Sequence, residues 1–146
     1  MATGRNRAGL TEKLGPDTER LISLELDVTD AKQAKVAAEA SISKFGSIDV
    51  LLNNAGYGLY GFFEETTIQD AHDQFATNVF GVFNVTWAVL PVMRSARKGR
   101  IFNLSSLGGL LGGQMASFYC AAKFAIEGFS ESLAKEVSPF GILVVT

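Results

Sequence analysis

The chain has 146 residues, of which 47% are hydrophobic and 19% charged. This length suggests one domain, and the composition excludes a disordered chain because there is enough apolar material for a core. The net charge of −2 without a basic patch argues against nucleic acid as a partner. The single cysteine, Cys120, excludes an intramolecular disulfide, and no apolar run approaches the roughly 20 residues of a membrane span. A soluble cytoplasmic protein is therefore expected.

Strand and helix signals alternate along the chain. In chain order, the predicted elements are a strand at 21–26, a helix capped by Thr29 and ending near Phe45, a strand at 48–52, a helix from about Thr67 to near Gly99 with Pro91 inside it, a strand at 100–104, a helix at 117–137 and a strand at 142–145. This alternation predicts an α/β fold of three layers, with a parallel sheet and helices on both faces.

Polar residues follow three of the predicted strands. Asp27 ends the first strand, Asn53–Gly56 follows the second, and Ser105–Ser106 follows the third. In open parallel sheets, ligands bind beyond the carboxyl ends of the strands. A glycine there also allows the backbone to approach a ligand closely, although each segment taken alone fits a plain turn.

Tyr119 and Lys123 are four residues apart on a predicted helix, so they share one face. A free phenol is a poor base at neutral pH, but a nearby ammonium group stabilises the phenolate. The pair could therefore exchange a proton with an alcohol or carbonyl oxygen. The same spacing also fits a helix with a solvated lysine. Ser106, at the end of a strand, could hold the substrate oxygen by a hydrogen bond, or could cap the following loop.

Five motifs in this order resemble those of the short-chain dehydrogenase/reductase family. They are Asp27-Val28, Asn53-Asn54-Ala55-Gly56, Asn78-Val79-Phe80-Gly81, Asn103-Leu104-Ser105-Ser106 and Tyr119-Cys120-Ala121-Ala122-Lys123. The resemblance covers essentially all of the chain and implies a Rossmann-like, NAD(P)-binding domain over residues 1–146. The family's Thr-Gly-x-x-x-Gly-x-Gly fingerprint and the Pro-Gly step expected after Thr146 are absent, so this domain is expected to be incomplete.

The resemblance also implies a role for each motif residue. The implied catalytic residues are Tyr119 as general acid/base, Lys123 as its activator and ligand of the nicotinamide ribose, Ser106 as the group that orients the substrate carbonyl, and Asn78 as the holder of a water in a proton relay. The implied cofactor contacts are Asp27 and Val28 at the adenine, the floor residues Asn53, Asn54, Ala55 and Gly56, and again Tyr119 and Lys123. No metal site is expected.

Arg5 indicates the form of the cofactor. It follows Thr3-Gly4, where the resemblance places the end of the family's second strand. An acidic residue at this position would hold the ribose 2′-hydroxyl of NAD, whereas arginine pairs with the additional phosphate of NADP. NADP is therefore expected rather than NAD, although an arginine so near the terminus could also be solvated.

The expected function is hydride transfer between NADP(H) and a small-molecule alcohol/carbonyl pair. The aromatic residues Tyr57, Tyr60, Phe62 and Phe63 hint at an apolar substrate, but could equally form a structural cluster. An epimerase or dehydratase of the wider superfamily is an alternative. Another is a catalytically inactive fragment that retains only the association surface of its helices. The resemblance implies a homodimer or homotetramer formed by the two long helices.

The family's first strand lies in the middle of its sheet, and no segment of this chain matches it. Two arrangements are therefore open for the strand at 21–26. It could pair directly with the strand at 48–52, or the edge of the latter strand could remain exposed. In either case the glycine-rich turn that cradles a pyrophosphate is absent, and the chain of 146 residues by itself is expected to be catalytically silent.

Overall fold

The computed structural model describes residues 1–146 as five short parallel strands and five α-helices. In chain order these are β1 Ala2–Gly4, α1 Arg7–Leu14, β2 Ser23–Glu25, α2 Ala31–Phe45, β3 Val50–Asn53, α3 Ile68–Phe75, α4 Gly81–Ala96, β4 Gly99–Asn103, α5 Ser117–Val137 and β5 Ile142–Val145. A π-helical turn, Ala76–Phe80, joins α3 to α4. The predicted α/β fold with parallel strands flanked by helices is confirmed.

Two local features differ from the sequence prediction. Helix α1 was not predicted, because it buries none of its residues and therefore has no apolar stripe. Thr29 does not cap α2. The Asp30 carboxylate does so by accepting hydrogen bonds from the backbone N–H groups of Lys32 and Gln33. A carboxylate satisfies two of the free N–H groups at a helix start and also interacts favourably with the helix dipole.

The strands form two separate sheets. Strands β1 and β2 pair with each other, and β3, β4 and β5 form the second sheet in that order. No strand pairs with the outer edge of β3, so the second of the two arrangements considered above is the one observed. Leu52, in this edge strand, is 61% exposed. An unpaired parallel edge of this kind favours association with other chains.

The two faces of the second sheet have different surroundings. Leu51, Ile101 and Val144 lie in register across the three strands and pack into the core with α4 and α5. The residues that alternate with them are exposed. Five of them are apolar, namely Val50, Leu52, Phe102, Leu143 and Val145, and the sixth is Arg100, which lies in register between Val50 and Leu143. The helices therefore cover one face of β3–β5, and the other face presents a largely apolar surface that contains one arginine.

The helical run Ile68–Ala96 is, by length and composition alone, long and apolar enough to cross a membrane. No such run was expected from the sequence. Its buried residues include Gln74, Asn78 and Thr86, which all make hydrogen bonds within the fold. Its apolar residues Val89 and Met93 belong to the main core cluster. These contacts are those of a core helix.

A buried chain of hydrogen bonds joins the carboxyl ends of β3 and β4 to the helices. The Asn53 amide donates to Thr86 Oγ1 at 3.0 Å and to Asn103 Oδ1 at 2.8 Å. The Asn103 amide donates to Ser130 Oγ at 2.8 Å, and Ser130 donates to the carbonyl of Ile126 at 2.7 Å. This polar chain fixes α4 and α5 relative to the strand ends from which the candidate site residues project.

Asn103→Ala should lower the free energy of unfolding by about 1–3 kcal/mol, because it removes one buried hydrogen bond from Asn53 and one from Ser130. Urea unfolding followed by circular dichroism measures this change. Asn54→Ala, at an exposed neighbouring asparagine, is the matched control and should change the stability by less than about 0.5 kcal/mol. Equal effects of the two substitutions would contradict the structural importance of the polar chain.

Candidate active site

Lys123 is buried at the carboxyl end of β4. Only 9% of the residue is exposed, and its ammonium group donates a hydrogen bond of 2.6 Å to the carbonyl oxygen of Leu104. Burial lowers the pKa of Lys123, because desolvation penalises the charged form. The alternative considered from the sequence, in which Lys123 is solvated, is therefore wrong.

Tyr119 lies one helical turn before Lys123, as the spacing predicts. The Lys123 nitrogen lies 5.8 Å from the centroid of the Tyr119 ring. The Tyr119 ring is half-buried and also packs against the ring of Tyr60, with the two centroids 5.8 Å apart. The Tyr119 ring thus has the Lys123 ammonium group and the Tyr60 ring as neighbours.

Ser106 lies near the same tyrosine. Its hydroxyl accepts a hydrogen bond of 3.2 Å from the backbone N–H of Gly108 and so caps the short turn Leu107–Gly109. A Cβ atom on Gly108 would lie 3.3 Å from Cε1 of Tyr119, so this turn packs closely on the tyrosine ring. The structure therefore brings Ser106, Tyr119 and Lys123 together at one strand end.

Asn78 is buried in the π-helical turn, a feature that often marks functional sites. Its side chain pairs with the backbone of Tyr57: Nδ2 donates to the Tyr57 carbonyl at 2.8 Å, and Oδ1 accepts from the Tyr57 N–H at 3.1 Å. Asn78 therefore holds the loop that follows β3. The water-holding role implied by the resemblance stays a prediction.

Sequence reasoning missed Gln74. This residue is fully buried, and its Nε2 donates to the Tyr57 carbonyl at 2.9 Å beside the bond from Asn78. The available signal was its position one helical turn before Asn78, which places both amides on one face. A buried glutamine in a helix needs polar partners, and the backbone of Tyr57 supplies one of them.

The residues predicted to contact the adenine side lie at the ends of β1 and β2. Arg5 is exposed directly after β1, and the backbone N–H of Leu26 donates to the carbonyl of Gly4 at 3.0 Å. The Asp27 carboxylate accepts hydrogen bonds from the hydroxyl and the backbone N–H of Thr29. These bonds, together with the charge of Arg5, lower the pKa of Asp27.

Val28 connects this group to the beginning of α4. Its carbonyl accepts a hydrogen bond of 2.9 Å from the Asn84 side chain on α4. A Cβ on Gly81 would lie 2.5 Å from Cγ2 of Val28, so only glycine allows this approach at the start of α4. The loop Asn54–Gly56 is exposed, and Gly56 lies against the side chain of Asn78 in the π-helical turn that precedes α4.

The sequence-family model described as short chain dehydrogenase matches residues 1–146 of the chain. The chain belongs to the short-chain dehydrogenase family. The motif resemblance is thereby confirmed, and so is the Rossmann-like class of the fold, since solved members of the family superpose on this structure.

Three members of the family are informative. The 3-ketodihydrosphingosine reductase of Bacteroides thetaiotaomicron is 46% identical over 136 residues, which are 93% of this chain and 51% of that protein. A short-chain dehydrogenase from Streptomyces avermitilis superposes with a TM-score of 0.92 at 42% identity, covering 98% of this chain and 53% of its own. ElxO with NADP bound superposes with a TM-score of 0.88 at 31% identity, and the match covers 96% of this chain and 58% of ElxO. This short-chain dehydrogenase chain thus spans about half the length of the relatives that it matches.

Lys123→Met should raise the free energy of unfolding at neutral pH, because a buried charge is removed. The pKa of Lys123 is lowered from 10.5 in the folded state, so the unfolded chain binds more protons between the lowered pKa and 10.5. The wild-type chain therefore gains stability as the pH rises through that window, and the difference from the variant should shrink there. Urea unfolding at pH 7 and at alkaline pH measures the difference.

Lys135→Met is the matched control, because Lys135 is exposed on the same helix and pairs only with Glu131 at the surface. This substitution should change the stability little at any pH. The claim that the buried charge of Lys123 destabilises the fold would be contradicted by either of two results. One is a Lys123→Met variant that is less stable than the wild type at neutral pH, and the other is a stability difference that does not depend on pH.

Proposed function

We propose that these residues belong to an oxidoreductase that transfers a hydride between NADP(H) and an alcohol/carbonyl substrate, with Tyr119 as the general acid/base. One observation carries this proposal. The ammonium group of Lys123 is buried beside the Tyr119 ring, and the turn capped by Ser106 packs on the same ring. Burial penalises the charge of Lys123, and a titratable group that is buried at such a cost beside another is typical of a functional site.

The roles of the side chains follow from their chemistry. The Lys123 ammonium stabilises a phenolate on Tyr119, which allows the phenol to release a proton to the substrate oxygen during reduction and to accept one during oxidation. The hydroxyl of Ser106 can donate a hydrogen bond to the same oxygen and polarise the carbonyl. Asn78, which is bonded to Tyr57, fixes the loop that borders this position.

The residues at the strand ends fit a nicotinamide dinucleotide. The guanidinium of Arg5 is exposed and forms no ion pair in the structure, so it is free to bind the 2′-phosphate of NADP. Asp27 and Val28 would hold the adenine side, and the exposed loop Asn54–Gly56 would support the remainder. When bound, the nicotinamide supplies or accepts the hydride. The NADP-bound structure of ElxO supports this choice of cofactor.

The exposed faces of α4 and α5 support the alternative function of association. Trp87 on α4 is 82% exposed, and Phe124 on α5 is also exposed, as is Phe80 in the π-helical turn directly before α4. Large apolar side chains on a surface favour a partner surface. We infer a homodimer or homotetramer built on these two helices, a prediction that sedimentation at micromolar concentration can check.

Tyr119→Phe should lower the turnover of the complete enzyme by roughly 10²–10⁴-fold, because the proton donor is removed, while NADPH binding is almost unchanged. The measurement is carbonyl reduction followed by NADPH absorbance, together with an NADPH fluorescence titration. Tyr57→Phe is the matched control, since the structure shows no hydrogen bond from the Tyr57 hydroxyl. Wild-type turnover in the Tyr119→Phe variant would show that Tyr119 is not the acid/base.

Arg5→Ala should weaken NADP(H) binding by about 1.5–3 kcal/mol and leave NAD(H) binding almost unchanged, because a charge-assisted hydrogen bond to the phosphate is lost. Fluorescence titration with both cofactors measures the difference. Arg7→Ala is the control, because Arg7 is close in sequence but already paired with Asp17. If the unmutated enzyme binds both cofactors equally well, the role given to Arg5 is wrong.

A further inference from the structure

The loop between β3 and α3 carries two aromatic side chains that pack on the beginning of α5. The ring of Tyr60 lies 5.8 Å from the ring of Tyr119, with an interplanar angle of 41°. The ring of Phe63 lies 5.4 Å from that of Phe118 at 50°. Tilted pairs at these separations stabilise the contact beyond simple burial. Tyr60 and Phe63 therefore form an aromatic wall on the beginning of α5, with Tyr60 beside Tyr119.

Hydrogen bonds to its backbone hold the loop that carries this wall at both ends. At its start, the Tyr57 carbonyl accepts hydrogen bonds from both Gln74 and Asn78. Towards its other end, the Gly61 N–H donates to the carbonyl of Met115 at 2.8 Å. The loop is thus bonded to the π-helical region on one side and to the segment that precedes α5 on the other. A segment fixed in this way can present a side chain at a defined position.

Gly58 determines where the Tyr60 ring can lie. A Cβ on Gly58 would be 2.6 Å from Cε2 of Tyr60 and 3.0 Å from both its Cζ and its hydroxyl oxygen. All three of the nearest atoms belong to the Tyr60 side chain, so a larger residue at position 58 would displace the ring rather than the backbone. The ring is seated between the backbone at Gly58 and the ring of Tyr119.

The seated ring remains open to a ligand. Tyr60 is 68% exposed although it contacts both Gly58 and Tyr119. One side of a large, rigid aromatic group therefore borders the space next to the Tyr119 phenol. A substrate whose carbonyl oxygen reaches Tyr119 would lie close to this ring.

We propose that Tyr60, seated on Gly58, is a specificity-determining residue that selects carbonyl compounds unbranched next to the carbonyl carbon. The ring favours a slender apolar chain, on which it can pack, and excludes a branch that would occupy the same space. This inference rests on the proposed function, because it takes Tyr119 as the group that the substrate oxygen must reach. It assigns the Tyr60 ring to substrate contact, in addition to its packing on Tyr119.

The test uses the complete enzyme with NADPH and two isomeric ketones, one straight-chain and one branched next to the carbonyl. The wild type should prefer the straight-chain ketone in kcat/KM. Tyr60→Ala should raise the ratio of branched to straight-chain kcat/KM at least about tenfold, a typical effect of one pocket contact. Tyr60→Phe retains the ring and should preserve the wild-type ratio. Phe62→Ala removes an exposed ring of the same loop that does not pack on Tyr119, and should preserve it too.

Gly58→Ala tests the seat itself. It should raise the ratio as Tyr60→Ala does, and combining it with Tyr60→Ala should add no further change, because there is no ring left to displace. In the NMR spectrum, nuclear Overhauser effects between the rings of Tyr60 and Tyr119 should be present in the wild type and absent in Gly58→Ala. If these effects persist in Gly58→Ala, Gly58 does not determine the position of the Tyr60 ring, whatever the kinetics show.

The outcomes separate this inference from the proposed function. If Tyr119→Phe is inactive but Tyr60→Ala keeps the wild-type ratio, Tyr60 does not determine specificity and only the present inference fails. If Tyr119→Phe remains active, or if the unmutated enzyme reduces neither ketone, the proposed function fails and this inference fails with it.

Discussion

A buried ammonium group is the constraint on which the rest of the candidate site depends. Lys123 needs a hydrogen-bond acceptor in the interior, and the carbonyl of Leu104 provides it at a distance of 2.6 Å. This carbonyl is available because β4 ends at Asn103, directly before it. The lysine can reach it only if α5 is held at that strand end. The polar chain from Asn53 through Asn103 to Ser130 supplies that restraint.

The helix run that contains the π turn connects the two halves of the candidate cofactor site. The two sheets do not pair with each other, so strand hydrogen bonds do not relate β2 to β3. Val28, after β2, packs on Gly81 and accepts a hydrogen bond from Asn84. Asn78, three residues before Gly81, holds the loop after β3 through Tyr57. One helical segment therefore positions residues that follow strands of both sheets.

Much of the fold could be predicted from the sequence, because helices and strands depend on local patterns of apolar residues. The roles expected of the candidate site residues came instead from the motif resemblance, and they stay predictions. The spacing of Tyr119 and Lys123 fixes their common face once α5 forms, and the bounds of α5 and β5 agree with the structure. The short apolar runs at β3, β4 and β5 also identified the strands. The placement of candidate site residues at the strand ends was predicted from the general geometry of parallel sheets, in which ligands bind beyond the carboxyl ends of the strands.

Other features depend on tertiary contacts and could not be predicted. Helix α1 has no buried face, so nothing in its sequence distinguishes it from a polar loop. Gln74 resembles any other polar residue of a helix until the backbone of Tyr57 is placed beside it. The seating of Tyr60 on Gly58 depends on a loop conformation that hydrophobic periodicity does not encode. The open face of β3–β5 likewise becomes visible only when the helices are placed.

The coupling between Tyr119 and Lys123 is the central claim, and a double-mutant cycle in kcat tests it most directly. The complete enzyme, Tyr119→Phe, Lys123→Met and the double variant are compared at saturating NADPH, so that cofactor binding does not contribute to the rates. Residues that act as one unit have strongly non-additive effects. The account predicts that the double variant is no slower than Tyr119→Phe alone. Losses that multiply, as for two independent residues, would contradict it.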